Sequence, residues 1–310
     1  MKLNYSIKLS AEDHIINITC CVIAFIIFFI TLYPIYYSFI SSISDGQAAM
    51  ATQIYFLPVK VTLENYKIVF SEKTLYNSYI VNILRTLIGT ITGVFFTSMM
   101  AYGISRKELK FRKLYSIIAI ITMYFGGGLI PYYLVLRYLH LINTFSVYII
   151  PSLINVFNML LFMSFFRDLP GAIIESAKID GAGEFTIFRK IVIPLSKPVL
   201  ATVALFVGVY HWNDWFTSAY FVTNEKLMTL PTILMRLVNS AEAQEKLNKM
   251  MLSSAGVNIG SMKTGPTVNS IRHATMLVSI VPIMMVYPFL QKYFVKGIMV
   301  AADDVLQSTV

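Results

Sequence analysis

At 310 residues, 56% of them hydrophobic and 13% charged, with a mean hydropathy of +0.67, the chain is too apolar for a water-soluble domain of its length. A bilayer core about 30 Å thick takes about 20 apolar residues per helical span, so six spans use about 120 residues and leave ample chain for loops. The net charge of +9 does not imply nucleic acid, because Lys and Arg flank apolar runs, as positive-inside topology requires, and do not gather on one amphipathic segment.

The first apolar run, Ile15 to Ser44, carries no charge and exceeds a signal-peptide core of about 7 to 15 residues, so it predicts a retained helix from Ile15 to about Ile40. Cys20 and Cys21 are adjacent within it, too close to bridge each other easily or to make a spaced metal site, and read as lipid- or helix-facing packing. Asp45 to Tyr76 follows as a loop. Further spans are predicted at Thr86 to Ser105, with Arg85 at its outer end, at Leu114 to Leu136, at Phe145 to Phe166, at Val199 to Val222 with Asp214 interrupting it, and at Ala274 to Leu290. Lipid offers no partner for a backbone amide, so all six are expected to be helices, and the whole chain, 1–310, reads as a single all-α transmembrane domain.

Arg106, Lys107, Lys110, Arg112 and Lys113 crowd the short loop after the second span, which places that loop in the cytoplasm. Alternation then puts the N-terminus, the Arg167 to Pro198 segment and the C-terminus on the same side, and 45–76 and 223–273 outside. The second outer loop is expected to carry a polar helix, Ala241 to Leu252, then irregular chain rich in Ser, Gly, Asn and Thr from Ser253 to Asn269.

Some chemistries are missing from the sequence. No phosphate-binding Gly-x-x-x-x-Gly-Lys-Ser/Thr motif occurs, so any ATP is expected to be handled by another subunit. His14, His140, His211 and His273 stand singly, with no second ligand at metal spacing and no nucleophile motif, which argues against an intramembrane enzyme or a metal site.

The most informative stretch runs Glu175-Ser-Ala-Lys-Ile-Asp-Gly-Ala-Gly-Glu-Phe-Thr-Ile-Phe-Arg-Lys-Ile-Val-Ile-Pro-Leu-Ser-Lys-Pro198. Its periodicity predicts two short amphipathic helices around a glycine turn, with Ile174, Ala177 and Lys178 at helical spacing in the first and Phe185, Phe188 and Val192 on one face of the second. Asp180 is expected to cap the second helix, Gly181 and Gly183 to permit the reversal, and Pro194 and Pro198 to stop the helix before the next span. Periodicity alone leaves open whether this hairpin packs only on its own spans or docks elsewhere.

The order Glu-x-Ala-x-x-Asp-Gly-Ala, followed by Phe188, Ile191, Pro194 and Pro198, resembles the EAA loop of permeases in binding-protein-dependent ABC importers; Ser176 stands where that family usually has Ala. Phe125-Gly-Gly-Gly-Leu-Ile-Pro-Tyr-Tyr-Leu134, Trp212-Asn-Asp-Trp215 and the stretch from Pro282 to Gly297 are similar to the carbohydrate-importing permeases, especially the branch near polygalacturonan and other complex-glycan importers. The family pattern ends soon after Gly297, whereas this chain continues to Val310. The resemblance implies a type I ABC importer permease fold in a bacterial plasma membrane. It also implies a second homologous permease, two cytoplasmic ATPases that hold ATP and Mg, an external solute-binding protein and an oligosaccharide cargo, with no cofactor in this chain. Glu175, Ala177, Asp180, Gly181, Ala182, Phe188, Ile191 and Pro194 are then the residues expected to couple it to the ATPases.

Trp212, Asn213, Asp214 and Trp215 are candidates for the sugar path. At a rise of about 1.5 Å per residue from Val199, Trp212 lies about 20 Å along its span, with Trp212 and Trp215 on one helical face at i, i+3. Their alternative is structural, with tryptophans in an interfacial belt and Asp214 paired to a neighbouring helix. An ion-coupled secondary transporter is the rival function, and Asp214 is the sole acid in the spans to serve it; a non-transporting membrane scaffold is a third reading.

Overall fold

Backbone amides that lose water must find partners within the chain, and this chain meets that demand almost wholly with helices. The computed structural model describes residues 11–52, 56–71, 73–240, 265–282 and 284–285. It divides into two units, Met1–Val69 with Val238–Val278, and Phe70–Leu237 with Ser279–Val310. In the first unit, α1 (Ala11–Ser42) is exposed along its apolar length, Cys20 and Cys21 included, as a helix meant for lipid or a partner must be.

The loop expected after α1 has more order than its composition suggests. Helix Gly46–Thr52 starts at Asp45, whose Oδ1 accepts from the Ala48 amide at 2.9 Å, an N-cap bond. Ser44 and Val61 form an antiparallel bridge. Asn65, in helix Glu64–Ser71, is fully buried and donates to the carbonyls of Ser42 (2.8 Å) and Ser44 (3.0 Å), while its own Oδ1 accepts from Ser270 at 2.8 Å. One amide side chain thus satisfies the groups left at the end of α1.

The second unit is built on α2 (Lys73–Ser105), which starts well before the predicted Thr86. Arg85 therefore sits within the helix and is only 1% exposed, not at a solvated end. The predicted third span is not straight: α3 (Arg112–Tyr124) and α4 (Leu129–Tyr138) meet at 118°, because the glycine run after Phe125 has poor helix propensity and offers no side chain to pack. The fourth comprises 3-10 turns over Phe145–Ser152 and then α5 (Val156–Asp168), at 44°. Asn155 opens α5 by accepting from the Asn158 amide at 2.9 Å.

Next come the hairpin helices α6 (Gly171–Ile179) and α7 (Glu184–Leu195), then α8 (Lys197–Asn213), which leaves α7 at 87°, and α9 (Phe216–Phe221). The predicted span from Val199 to Val222 thus breaks at Asp214. Among the described residues two helices are straight and apolar enough to cross a membrane, and three bent pairs pass the same test. The predicted last span is helical at 274–282 and 284–285; its remainder, like the Tyr287 to Gly297 stretch and the 241–252 helix, lies outside the described residues.

α2 packs chiefly on α8 and α5. Small residues set the α2–α8 spacing: a Cβ placed on Gly89 would meet His211 Nε2 at 2.4 Å, and Gly93 faces Val207, so only glycine permits this approach at position 89. One apolar core joins Ala101 and Ile104 of α2, Phe162 and Phe166 of α5, and the buried faces of α6 and α7. A second, around Val81, Leu136, Tyr148 and Phe221, lies at the other end of α2.

Candidate functional site

The hairpin is a packed part of the bundle. Ile174 and Ala177 of α6 and Ile187, Phe188 and Val192 of α7 are all buried in the first core. Phe185, expected on that face, is 57% exposed, its ring lying 6.3 Å from that of the buried Phe188. The two are about one turn apart, with Phe185 at the edge of the buried stripe, and the helix widens into a π segment only after it, over Phe188–Val192. That π segment, closed by the Ile193 amide on the Phe188 carbonyl, lies just before Pro194, which has no amide to donate. Pro194 therefore sits inside α7 and does not end it; the chain turns at the buried Ser196, and Pro198 occupies the first turn of α8.

The turn between α6 and α7 is a Schellman motif. The Ala182 amide donates to the Ala177 carbonyl at 2.9 Å and the Gly181 amide to Lys178 at 3.0 Å, with Gly181 at φ +79°. Asp180 is the C-cap of α6, and the residue before α7 is Gly183, which has no side chain to cap with. The expected role of Asp180 as the cap of the second helix is thereby replaced: its carboxylate faces solvent. Of the eight signature residues, Ala177 and Phe188 are buried, Ala182 and Ile191 half-buried, and Glu175, Asp180, Gly181 and Pro194 exposed. The signature therefore mixes residues that hold the hairpin to the bundle with residues that present a surface. Sequence reasoning left out the most exposed apolar side chain of the hairpin, Ile179, at 86%.

Charges at this end are linked. Lys178 Nζ contacts Glu108 Oε1 at 3.0 Å and Glu184 Oε1 at 2.9 Å; Tyr102 donates to Glu184 Oε2 at 2.5 Å, and the Arg106 guanidinium lies 4.5 Å over the Tyr102 ring. Partial burial pushes the Glu184 carboxyl up, but hydrogen bonds from Tyr102 and Lys178 outweigh it and hold the group below the ordinary range. Glu108 is held low by its own backbone amide and then by Lys178, and the two carboxylates raise Lys178.

At the other end of α2, Asp214 pairs with Arg85. The guanidinium donates to the Asp214 carboxylate and, at 2.7 Å, to its carbonyl, and lies 4.6 Å over the Tyr148 ring. The same carboxylate accepts from the Thr217 amide (3.1 Å) and hydroxyl (2.6 Å), so it starts α9 as well as ending α8. The break separates the two tryptophans. Trp212 is buried, its Nε1 donating to the Ser279 carbonyl at 3.2 Å, whereas Trp215 is partly exposed among Phe216 and Tyr220. They share no helical face. Asn213 is exposed.

Residues 69–300 match the family model described as binding-protein-dependent transport system inner membrane component. The chain is 33% identical over 269 residues to the polygalacturonan/rhamnogalacturonan transport system permease protein YtcP of Bacillus subtilis, covering 86% of this chain and 91% of that protein. It is 36% identical over 274 residues to protein LplC of the same organism, covering 88% and 89%. Among solved structures it is similar, with a TM-score of 0.82 and 30% identity over 93% of this chain and 100% of the other, to a chain of a bacterial ABC transporter involved in the import of the acidic polysaccharide alginate.

Proposed function

The chain belongs to the family of binding-protein-dependent transport system inner membrane components, and from that premise we propose that it is one of two permease subunits of an ATP-driven oligosaccharide importer. In this reading it crosses the membrane six times with both termini in the cytoplasm, and two ATPase subunits carry the ATP and Mg. An external binding protein delivers the cargo. The segment 167–198 is the coupling loop, and 223–273 lies outside. A relative named as permease of a polygalacturonan/rhamnogalacturonan transport system and a structural neighbour from a transporter involved in the import of alginate support a glycan as cargo.

The observation that carries the coupling role is the exposed apolar tip. Ile179 and Phe185 stand in water on a hairpin whose opposite face is sunk in the bundle core, the arrangement of a rigid element that presents hydrophobic anchors to a partner. Lys178 bonds Glu108 in the basic loop, so hairpin and loop share one end of the bundle, in keeping with one cytoplasmic face. The ion-coupled alternative loses its acid, since Asp214 is engaged by Arg85.

Ile179→Asp tests this in the complete complex. The spans are expected to fold as before, because the side chain touches no core. Co-purification of the ATPases with the permease, and hydrolysis stimulated by the binding protein, should fall about tenfold or more, as an unpaired carboxylate forced into an apolar contact requires. Wild-type values for both would overturn the assignment.

A further inference from the structure

A coupling hairpin transmits motion only if it does not bend where it is pushed. The turn of this one is closed by the two backbone hydrogen bonds of the Schellman motif, but Gly181 is exposed and a Cβ placed there would meet nothing within 4 Å, so no side chain of the turn itself braces the angle between α6 and α7. Side chains of the flanking elements cross it. Lys178 on α6 reaches Glu184 at the start of α7, and the same ammonium reaches Glu108 in the loop after α2. The other oxygen of Glu184 accepts from the phenol of Tyr102. Tyr102 is 6% exposed, and its ring packs on Phe188 of α7 (5.3 Å between centroids) and Phe166 of α5. The phenol is therefore held from behind by the core while its hydroxyl emerges to meet the carboxylate.

Isolated exposed ion pairs are weak because both side chains must be ordered to make them. Here one partner is already ordered by burial, and each of Lys178 and Glu184 is held at two points, the condition under which such a network gains from its members acting together. All four residues, Tyr102, Glu108, Lys178 and Glu184, fall outside or at unspecified positions of the family signature.

We propose that Lys178, Glu184, Tyr102 and Glu108 form a clamp that joins the hairpin to the end of α2 as one rigid body. A displacement applied at Ile179 then reaches the span instead of being absorbed at Gly181. These are positioning residues, and their role as transmitters rests on the coupling function proposed above, although the clamp itself does not.

The test measures stiffness without needing the cargo. In a chain with Cys20 and Cys21 replaced by Ser, spin labels at Thr186→Cys on α7 and Leu87→Cys on α2, both exposed, report the distance between hairpin and span. The complete complex is measured by pulsed electron resonance without nucleotide and with ATP and vanadate. One narrow distribution common to both states is expected. Lys178→Met and Tyr102→Phe should each widen it about twofold, as loss of a local restraint does. Lys178→Glu should widen it too, and Lys178→Glu combined with both Glu184→Lys and Glu108→Lys, which reverses every charge the ammonium meets, should narrow it again, a recovery that general loosening of the fold would not give. An unchanged width in the single variants, or no recovery in the charge-reversed set, overturns the clamp. Ile179→Asp separates the two ideas: a narrow distribution with normal ATPase binding keeps the clamp and removes the coupling role.

Discussion

At Arg85, α2 buries a charge almost completely and pairs it; about 25 Å further along the same helix, Tyr102 meets charges that stay in water. The first arrangement joins α2 to the break at Asp214, and the second joins it to the hairpin. A buried pair is costly to desolvate, and what remains when one partner is lost is an uncompensated ion. A surface network carries little such penalty, so its loss loosens the structure without threatening the fold. The two ends teach that one span can be fastened permanently at one end by a buried pair and stiffened at the other by a surface network whose loss leaves the fold intact.

The largest expected effect breaks the permanent end. Arg85→Ala leaves the Asp214 carboxylate buried with only Thr217 as donor and should cost about 3–5 kcal/mol, read as a drop in the thermal midpoint of the detergent-solubilised complex. The apolar pair Arg85→Leu with Asp214→Leu should be less harmful than Arg85→Ala alone. If the single and double variants are equally stable to wild type, the pair does not hold the break and the comparison fails.

A smaller effect is expected in the turn. Gly181→Ala adds a methyl group that meets nothing, so its cost is the positive φ alone, about 1–2 kcal/mol. It should lower binding-protein-stimulated hydrolysis while leaving the thermal midpoint of the spans within error. A large fall in that midpoint would mean that the turn, too, belongs to the fastened part of the molecule.

The smallest effect is with pH. Glu184 and Glu108 ionise below the ordinary value of 4.5, so their contribution is present above that value and is lost as pH falls through their depressed values. Lys178 is raised above 10.5, so its contribution is present below that value and is lost as pH rises through the raised one. The distance distribution between Thr186 and Leu87 labels should therefore hold its width across the interval between, and broaden only at the acid and alkaline ends. Broadening near neutrality would show that another group controls the clamp.

Much of this was legible in the order of residues. The hairpin was, because alternating burial at Ile174, Ala177, Phe188 and Val192 leaves a 3.6-residue trace, and the glycines mark the turn. So were α1 from Ile15 onward and the part of α2 after Arg85, because long charge-free runs admit few other structures. What periodicity did not register was bending. Leu114 to Leu136 reads as one apolar stretch whether or not it turns by 118° at the glycines, since hydropathy is blind to direction. Phe185 stands at the edge of the buried stripe, and spacing alone does not say how far along a helix such a stripe extends. Arg85 was placed at a helix end because a charge in an apolar run is costly; its partner, 129 positions away, is visible only once the helices meet. The signal that links them is that Asp214 is the one acid in its apolar run and Arg85 the cation that stands directly against another such run.

The approach of His211 to Gly89 has a mechanical consequence. The imidazole fills the notch that a missing side chain leaves in α2, with its Nε2 at 2.4 Å from where a Cβ would stand. Sliding α8 toward the start of α2 would carry the ring out of that notch and against the side chains one turn earlier on the same face, Arg85 and Thr86. Translation in that direction is thus opposed in this pair. Whatever the bundle does as it works, α2 and α8 must tilt or turn together, as two leaves cut to the same key.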